Sequence, residues 1–301
     1  MKVLSIRMTA LTALIAGLAA WSGAAQAYWN LDTAPGNTVG DSGAASYTVS
    51  MSGFYVANTL NGSNKLANNW SSGALTQFSG NGQGMYTGTD NGSPYHALDN
   101  NQNTEAVLLS FSASTVLSSI GLGFTDSTAA SPELACKNNT TGAMTYATSC
   151  GTGTTSQGKT VDVSLFRWTG TSAPTSLTST GAGTMGGWEL VGNYGDFIKD
   201  TSNPYNSVNA AGKTSSWWLI SAYNSGFTQS ASTVNRGSLT NGDDYFKLFA
   251  AAGTKCTSTV DANGVCGGTT VRLPEPASLA LAGVALAGMA GLRRRKAKVA
   301  A

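Results

Sequence analysis

Glu105-Ala106-Val107-Leu108-Leu109-Ser110-Phe111 and, five positions on, Val116-Leu117-Ser118-Ser119-Ile120-Gly121-Leu122-Gly123-Phe124 decide how this chain folds. Each run is short, apolar and bounded by small polar residues, which is the pattern of a strand and not of a helix. In the second run Val116, Ile120, Leu122 and Phe124 share one side of a period-two strand. Gly121 and Gly123 then form a smooth opposite side that another piece of backbone can approach closely. Comparable runs recur at Tyr47–Ala57, Val161–Trp168, Trp188–Val191, Trp217–Tyr223 and Asp244–Ala250, separated by Gly, Asn and Ser clusters. The spacing predicts an all-β chain: a single β-sandwich or jelly-roll-like domain with long Gly/Ser/Asn-rich loops.

The rest of the composition agrees. Of 301 residues only 11% are charged, while 35 are Ser, 37 Thr and 22 Asn, types that suit strands and turns better than helix surfaces. With 41% hydrophobic residues the chain has enough apolar surface to offset its conformational entropy, which excludes a disordered protein. Two polar stretches interrupt the strands. Asn61–Asn103 carries the turn signals Asn61-Gly62, Asn81-Gly82 and Asn91-Gly92, and Thr125–Thr160 has no sustained periodicity and reads as a surface insertion between two neighbouring strands.

Both ends read as addresses. Lys2 and Arg7, the apolar run Ala10–Ala20 and the small-x-small triplet Ala25-Gln26-Ala27 make residues 1–27 a signal peptide, with cleavage by signal peptidase expected before Tyr28. Residues 28–273 are then the extracellular β domain. Residues 274–301 begin with Pro274-Glu275-Pro276, continue as the apolar run Ala277–Leu292 and end in the basic residues Arg293, Arg294, Arg295, Lys296 and Lys298. A helix over 277–292 is about 24 Å long, short for a membrane core of about 30 Å yet able to sit in one, and the basic end 293–298 would stay cytoplasmic. The two prolines hold Glu275 in extended geometry just outside that helix.

This tail resembles the PEP-CTERM sorting signal, whose parts are a Pro-Glu-Pro tripeptide, a small-residue transmembrane helix and an Arg-rich end. The resemblance implies export in a Gram-negative bacterium and processing by exosortase, a membrane-embedded cysteine transpeptidase-like enzyme, with Pro274, Glu275, Pro276, Arg293, Arg294 and Arg295 as the sorting residues. The chain would be held transiently in the inner membrane and reach the cell surface or exterior after processing. A second resemblance lies inside the domain. His96-Ala97-Leu98-Asp99-Asn100, Glu105–Phe111, Ile120–Phe124 and Asp162-Val163-Ser164-Leu165-Phe166-Arg167-Trp168 look like blocks of exosortase-dependent surface proteins, from which the 125–160 insertion departs. No catalytic residues come with that pattern.

Without its ends the chain is acidic: ten Lys or Arg against fourteen Asp or Glu between Tyr28 and Leu273 give 10 − 14 = −4. Such a domain is a poor partner for nucleic acid. The four cysteines, in an exported chain, read as disulfides, and the local pairs are Cys136–Cys150 and Cys256–Cys266. No cofactor is expected: Asx turns explain Asp90, Asp99 and Asn100, and calcium bound by their hard oxygen donors is the alternative.

Trp70, Trp217 and Trp218 are candidate carbohydrate-stacking rings. Adjacent tryptophans on a strand point to opposite faces, and Leu219-Ile220 continue both faces as apolar, which favours a strand buried on both sides. The single His96 near Asp99 lacks a nucleophile elbow, and Asp41-Ser42-Gly43 has no second copy to form an aspartic dyad. The reading is a non-enzymatic, exosortase-processed surface protein, a component of extracellular matrix or biofilm. A carbohydrate-binding module or adhesin in contact with extracellular polysaccharide is the alternative, and a secreted hydrolase the less favoured one.

Overall fold

The computed structural model describes residues 26–42, 47–59, 65–66, 69–87, 96–179, 184–199, 205–227, 239 and 244–267. The expected signal peptide 1–27, apart from its last two residues, the tail from 268 on, Asp90, Asn61-Gly62 and Asn91-Gly92 lie outside them. Among the described residues every regular element is a strand, and no helix is long and apolar enough to cross a membrane. The first strands are β1 (Ala27–Asn30), β2 (Val39–Gly40), β3 (Thr48–Thr59), β4 (Lys65–Leu66), β5 (Ser71–Gly73), β6 (Leu75–Phe78), β7 (Gly82–Met85) and β8 (Leu98–Asp99). Next come β9 (Asn103–Ser127), β10 (Leu134–Asn138), β11 (Met144–Ala147), β12 (Thr154–Lys159) and β13 (Val161–Trp168). The last are β14 (Trp188–Phe197), β15 (Tyr205–Ser207), β16 (Ser215–Ala222) and β17 (Asp244–Lys255).

The two runs expected as separate strands are one continuous strand, β9, which belongs to two sheet regions in turn. Its first half pairs with β16 and β3, and β16 leads on to β13 and β14. Its second half pairs with β15 and β17, whose far edge carries β8, β7 and β1. Between them Ser215 pairs with Thr115 and Trp217 with Ser110, so β9 takes five steps where β16 takes two. Such an excess lets a strand turn a corner from one sheet to the other.

The two regions bury their facing sides in one core. Val107, Leu109 and Phe111 of β9 meet Trp218 and Ile220 of β16, Val163 and Leu165 of β13, and Phe246 and Leu248 of β17. This packing of two open sheets is consistent with the expected sandwich. Trp29 and Trp218, both 0% exposed, anchor the core, and their indole N–H groups donate to the carbonyls of Tyr47 and of Thr115 and Ser215. These bonds remove the cost of burying a polar N–H. The intervening residues of β9 and β16, Ala106, Leu108 and Leu219, enter a second apolar cluster on the outer side, roofed by Trp70, Leu177, Met185 and Phe227.

Two bulges correct the predicted face of β9. Gly253 pairs with Leu117 and Ala252 with Ser119, and Lys247 pairs with Phe124 and Leu248 with Leu122, so Ser118 and Gly123 are extra residues on β9. Leu117, Ile120 and Leu122 therefore fill the core, while Val116 and Phe124 are only half-buried. The close approach expected at the glycine face is present. A Cβ on Gly123 would stand 2.1 Å from the Asn81 carbonyl oxygen.

The Thr125–Thr160 insertion is more ordered than its sequence suggests. It contains a small antiparallel sheet in the order β11-β10-β12, and β9 and β13 on either side of it are separated by β16 instead of being neighbours. Asn138 Oδ1 accepts from the N–H groups of Thr140 and Thr141 to shape the β10–β11 turn. A disulfide joins Cys136 to Cys150 with Cα atoms 5.4 Å apart. Cys256 and Cys266 are likewise joined, at 5.8 Å.

Candidate functional site

At one end of the core, segments far apart in sequence meet through buried polar groups. Asn100 follows β8, Asp162 lies at the start of β13, Asp196 near the end of β14 and Asp244 at the start of β17, and each is at most 3% exposed. The Asp244 carboxylate accepts from the Asp162 N–H at 2.8 Å and from the Asn100 amide at 2.7 Å. Asn100 Oδ1 accepts from the Asp244 N–H in return, and its amide also donates to the Tyr223 carbonyl. Asp162 closes the set by accepting the Asp196 N–H at 3.2 Å. Two blocks of the sequence pattern, His96–Asn100 and Asp162–Trp168, thus join at this end.

Asp196 is the exceptional member. Its φ of 60° is left-handed, a strained conformation for a residue with a Cβ. Both its carboxylate oxygens are sealed from solvent without a hydrogen-bond donor. Thr160 lies beside it, but the Thr160 hydroxyl donates to the Glu133 carbonyl. Burial, and then the charges of Glu133 and Asp162, push the Asp196 carboxyl up to about 7. In this setting the neutral form of the Asp196 carboxyl is favoured, and the insertion brings Glu133 to this place through the Thr160 N–H to Glu133 carbonyl bond of 3.0 Å. Burial also raises the nearby Tyr223 hydroxyl, with Asp162 and Asp244 adding to the effect.

These contacts revise the sequence-derived candidates. Asn100 is engaged on both sides of its amide, and Asp99, 1% exposed, accepts the Asn101 N–H at 2.9 Å in an Asx turn. The Asp99 carboxylate closes a local turn, while the Asn100 side chain ties the segment after β8 to β17. Among the described residues no three His, Cys, Asp or Glu side chains are grouped to hold a metal ion.

The aromatic candidates are revised as well. Trp218 is a core residue and Trp70, 8% exposed, stacks on Phe227 at 6.4 Å, so neither ring offers a face to a sugar. Trp217 is half-buried against the outer cluster, opposite to Trp218 as two adjacent strand residues must be. His96, at φ 64°, packs its ring against Phe78 and Tyr86 with centroids 5.3 and 4.8 Å away. Its carbonyl lies where a Cβ on Gly84 would be, which places it at a tight loop-to-strand junction.

Sequence reasoning passed over Glu133, Asp196 and Asp244. The available signal for Asp196 was one carboxylate inside an apolar run, Tyr194-Gly195-Asp196-Phe197-Ile198. A charge at such a position must find a partner or a proton.

No curated protein and no solved structure matches the chain significantly. The sorting residues Pro274, Glu275, Pro276, Arg293, Arg294 and Arg295 all fall in the one segment that a family model does match. Through residues 273–296, this chain carries the PEP-CTERM protein-sorting motif.

Proposed function

We propose that the domain is a non-catalytic structural component of the extracellular matrix or biofilm of a Gram-negative bacterium, delivered there by its tail. The motif at 273–296 implies exosortase-dependent export to the surface, and it is the observation that carries the reading. The domain's own polar chemistry supports it: the buried carboxylates at the core's end bind backbone and amide groups of the same chain. Signal peptidase would act before Tyr28, and exosortase close to Pro274-Glu275-Pro276.

Replacing Pro274, Glu275 and Pro276 by Ala leaves the apolar run and basic end intact but removes the rigid tripeptide. The uncut protein is then expected in the cell membrane, and mass spectrometry of surface-released wild type should show no peptide spanning Arg293–Lys298. Recovery of that peptide as the normal mature end would leave an ordinary membrane anchor. A deletion strain with unchanged matrix mass and cohesion would refute the matrix role while leaving the sorting intact.

A further inference from the structure

The outer face of the sheet changes character at Trp217. On the β13 side of it the face is aromatic, with the Trp168 and Trp188 rings 5.3 Å apart and both packed into the outer cluster. On the other side the strand register carries Trp217 to Ser110 of β9, and Ser110 to Ser50 of β3. Both serines, and Ser52, alternate with the core residues Leu109, Val49 and Met51 and so lie on the outer face, as Phe54 and Val56 do farther along β3. Trp217, Ser110, Ser50 and Phe54 are half-buried and Ser52 is exposed. A half-covered indole thus borders a floor of hydroxyls that spans two strand spacings, roughly 10 Å.

The floor runs into a cleft of about 340 Å³, lined by Ser52, Phe54, Ser72, Gly73 and Leu75 among others. The cleft lies where β3 passes from β2, its partner at Thr48 and Val49, to β5, its partner from Gly53 on. A Cβ on Gly53 would stand 2.7 Å from the Gly73 carbonyl oxygen, so the base of the cleft is closely packed and its shape is set before any ligand arrives.

We propose that Trp217, Ser110, Ser50 and the cleft at Ser52 and Phe54 form a binding site for a neutral oligosaccharide segment. One sugar ring lays its C–H face on the Trp217 indole. The next units hydrogen-bond across the serines, whose hydroxyls both donate and accept, and enter the cleft against Phe54. The chemistry selects this class of partner. An apolar peptide or a lipid would cover the serine hydroxyls and leave them without partners. The site side chains carry no charge, and the domain has four more acidic than basic residues, which disfavours an acidic polymer. The site gives the matrix reading its class of partner and rests on that reading only for where the glycan comes from.

The test is calorimetric titration of the full chain, purified in a detergent without a sugar headgroup, with neutral gluco-, xylo-, manno- and galacto-oligosaccharides and with polygalacturonate. The expected result is saturable binding of at least one neutral series, weakened at least tenfold in Trp217→Ala and likewise in Ser52→Arg, which fills the mouth of the cleft. Because Ser52 is exposed, Ser52→Arg keeps the test intact if Trp217→Ala fails to fold. Binding of no neutral oligosaccharide, binding of polygalacturonate alone, or equal affinity in wild type and both variants overturns the site. Self-association that Trp217→Ala abolishes, without glycan binding, also overturns it and assigns the face to a second copy of the chain. The matrix reading is tested separately by the deletion strain: a protein that binds no glycan, yet whose loss weakens the matrix, refutes this site alone.

Discussion

The sandwich core and the sheet inserted at 134–159 hold their shape by different means. In the core, Trp29, Trp218, Phe246 and Leu109 are fully buried and alternate along their strands with a second apolar face. Along β11 half-buried and exposed residues alternate, and along β10 only Ala135 and Cys136 are buried, so the inserted sheet has almost no apolar interior. Asx and Thr turn bonds, the Cys136–Cys150 disulfide and a few polar contacts to β9 do the work there. An antiparallel sheet of three short strands is marginal in water without such ties. The comparison teaches that burial sets the stability of the domain as a whole, whereas the insertion is tied locally and can open by itself.

The largest effect should therefore come from the core. Trp218→Ala removes a fully buried indole and leaves a cavity and two carbonyls without their donor, and a loss of about 3–5 kcal/mol is expected in urea denaturation. Trp217→Ala, its half-buried neighbour on the opposite face, should cost clearly less. Equal losses would mean that the outer cluster carries as much of the stability as the core. Replacing Cys136 and Cys150 together by Ser should release up to about 3 kcal/mol of closure stabilisation, confined to the insertion. Limited proteolysis should then cut within 133–160 while the sandwich keeps its unfolding midpoint. A lowered midpoint for the whole domain would join the two regions into one cooperative unit.

What the sequence reveals follows the same division. The alternation of Val107, Leu109 and Phe111 against Ala106 and Leu108 is legible because period-two burial leaves its mark on every residue. Gly123 is legible as a close approach because only an absent Cβ admits the Asn81 backbone. The bulge at Ser118 is not legible, since it depends on the partner strand, and it shifted the phase from Val116 to Leu117. Trp70, a carbohydrate-stacking candidate in the sequence, is seated on Phe227 by tertiary packing that no local pattern records. In the insertion, cross-strand pairs such as Ala135–Tyr146 and Lys137–Thr155 bury no continuous face, so no periodicity was there to find. The carboxylates of the core's end come together only in three dimensions. Asp196 is deciphered by its lack of a donor, which no sequence pattern records.

Asp196, in the sandwich, feels the charge of Glu133 from the insertion. Burial and the neighbouring carboxylates push the Asp196 carboxyl up to about 7, so the native state holds this proton more tightly than the unfolded chain does. Its stabilising contribution is fully present below about pH 4 and is lost as pH rises toward about 7, beyond which it changes no further. Asp196→Asn keeps the shape and removes the titration. The variant should match wild type at low pH and exceed it above pH 7, so the difference between their melting temperatures should grow between pH 4 and 7. A difference independent of pH would show that Asp196 ionises freely in the fold.

The smallest effect is expected at the visible tie between insertion and sandwich. Lys159, the last residue of β12, places its ammonium 2.7 Å from Asp126 and 2.8 Å from the Ser127 carbonyl, both in β9. The pair looks like a clasp, but the two side chains are 39% and 30% exposed, so water and salt screen most of the attraction. Exposed pairs of this kind contribute about 0–1 kcal/mol. The backbone bond from Thr160 N–H to the Glu133 carbonyl, and the disulfide, remain when the lysine is removed. Lys159→Ala should therefore change the global midpoint by less than about 1 kcal/mol, and the change should fall further as salt is raised. Hydrogen exchange at Leu134 and Ala135, whose strand pairs with β12, is the more sensitive readout, because opening of the insertion alone registers there. Faster exchange at these amides with an unchanged core would confirm that the insertion opens by itself. A loss above 2 kcal/mol in the global transition would instead make the Lys159–Asp126 contact part of the core's cooperative structure.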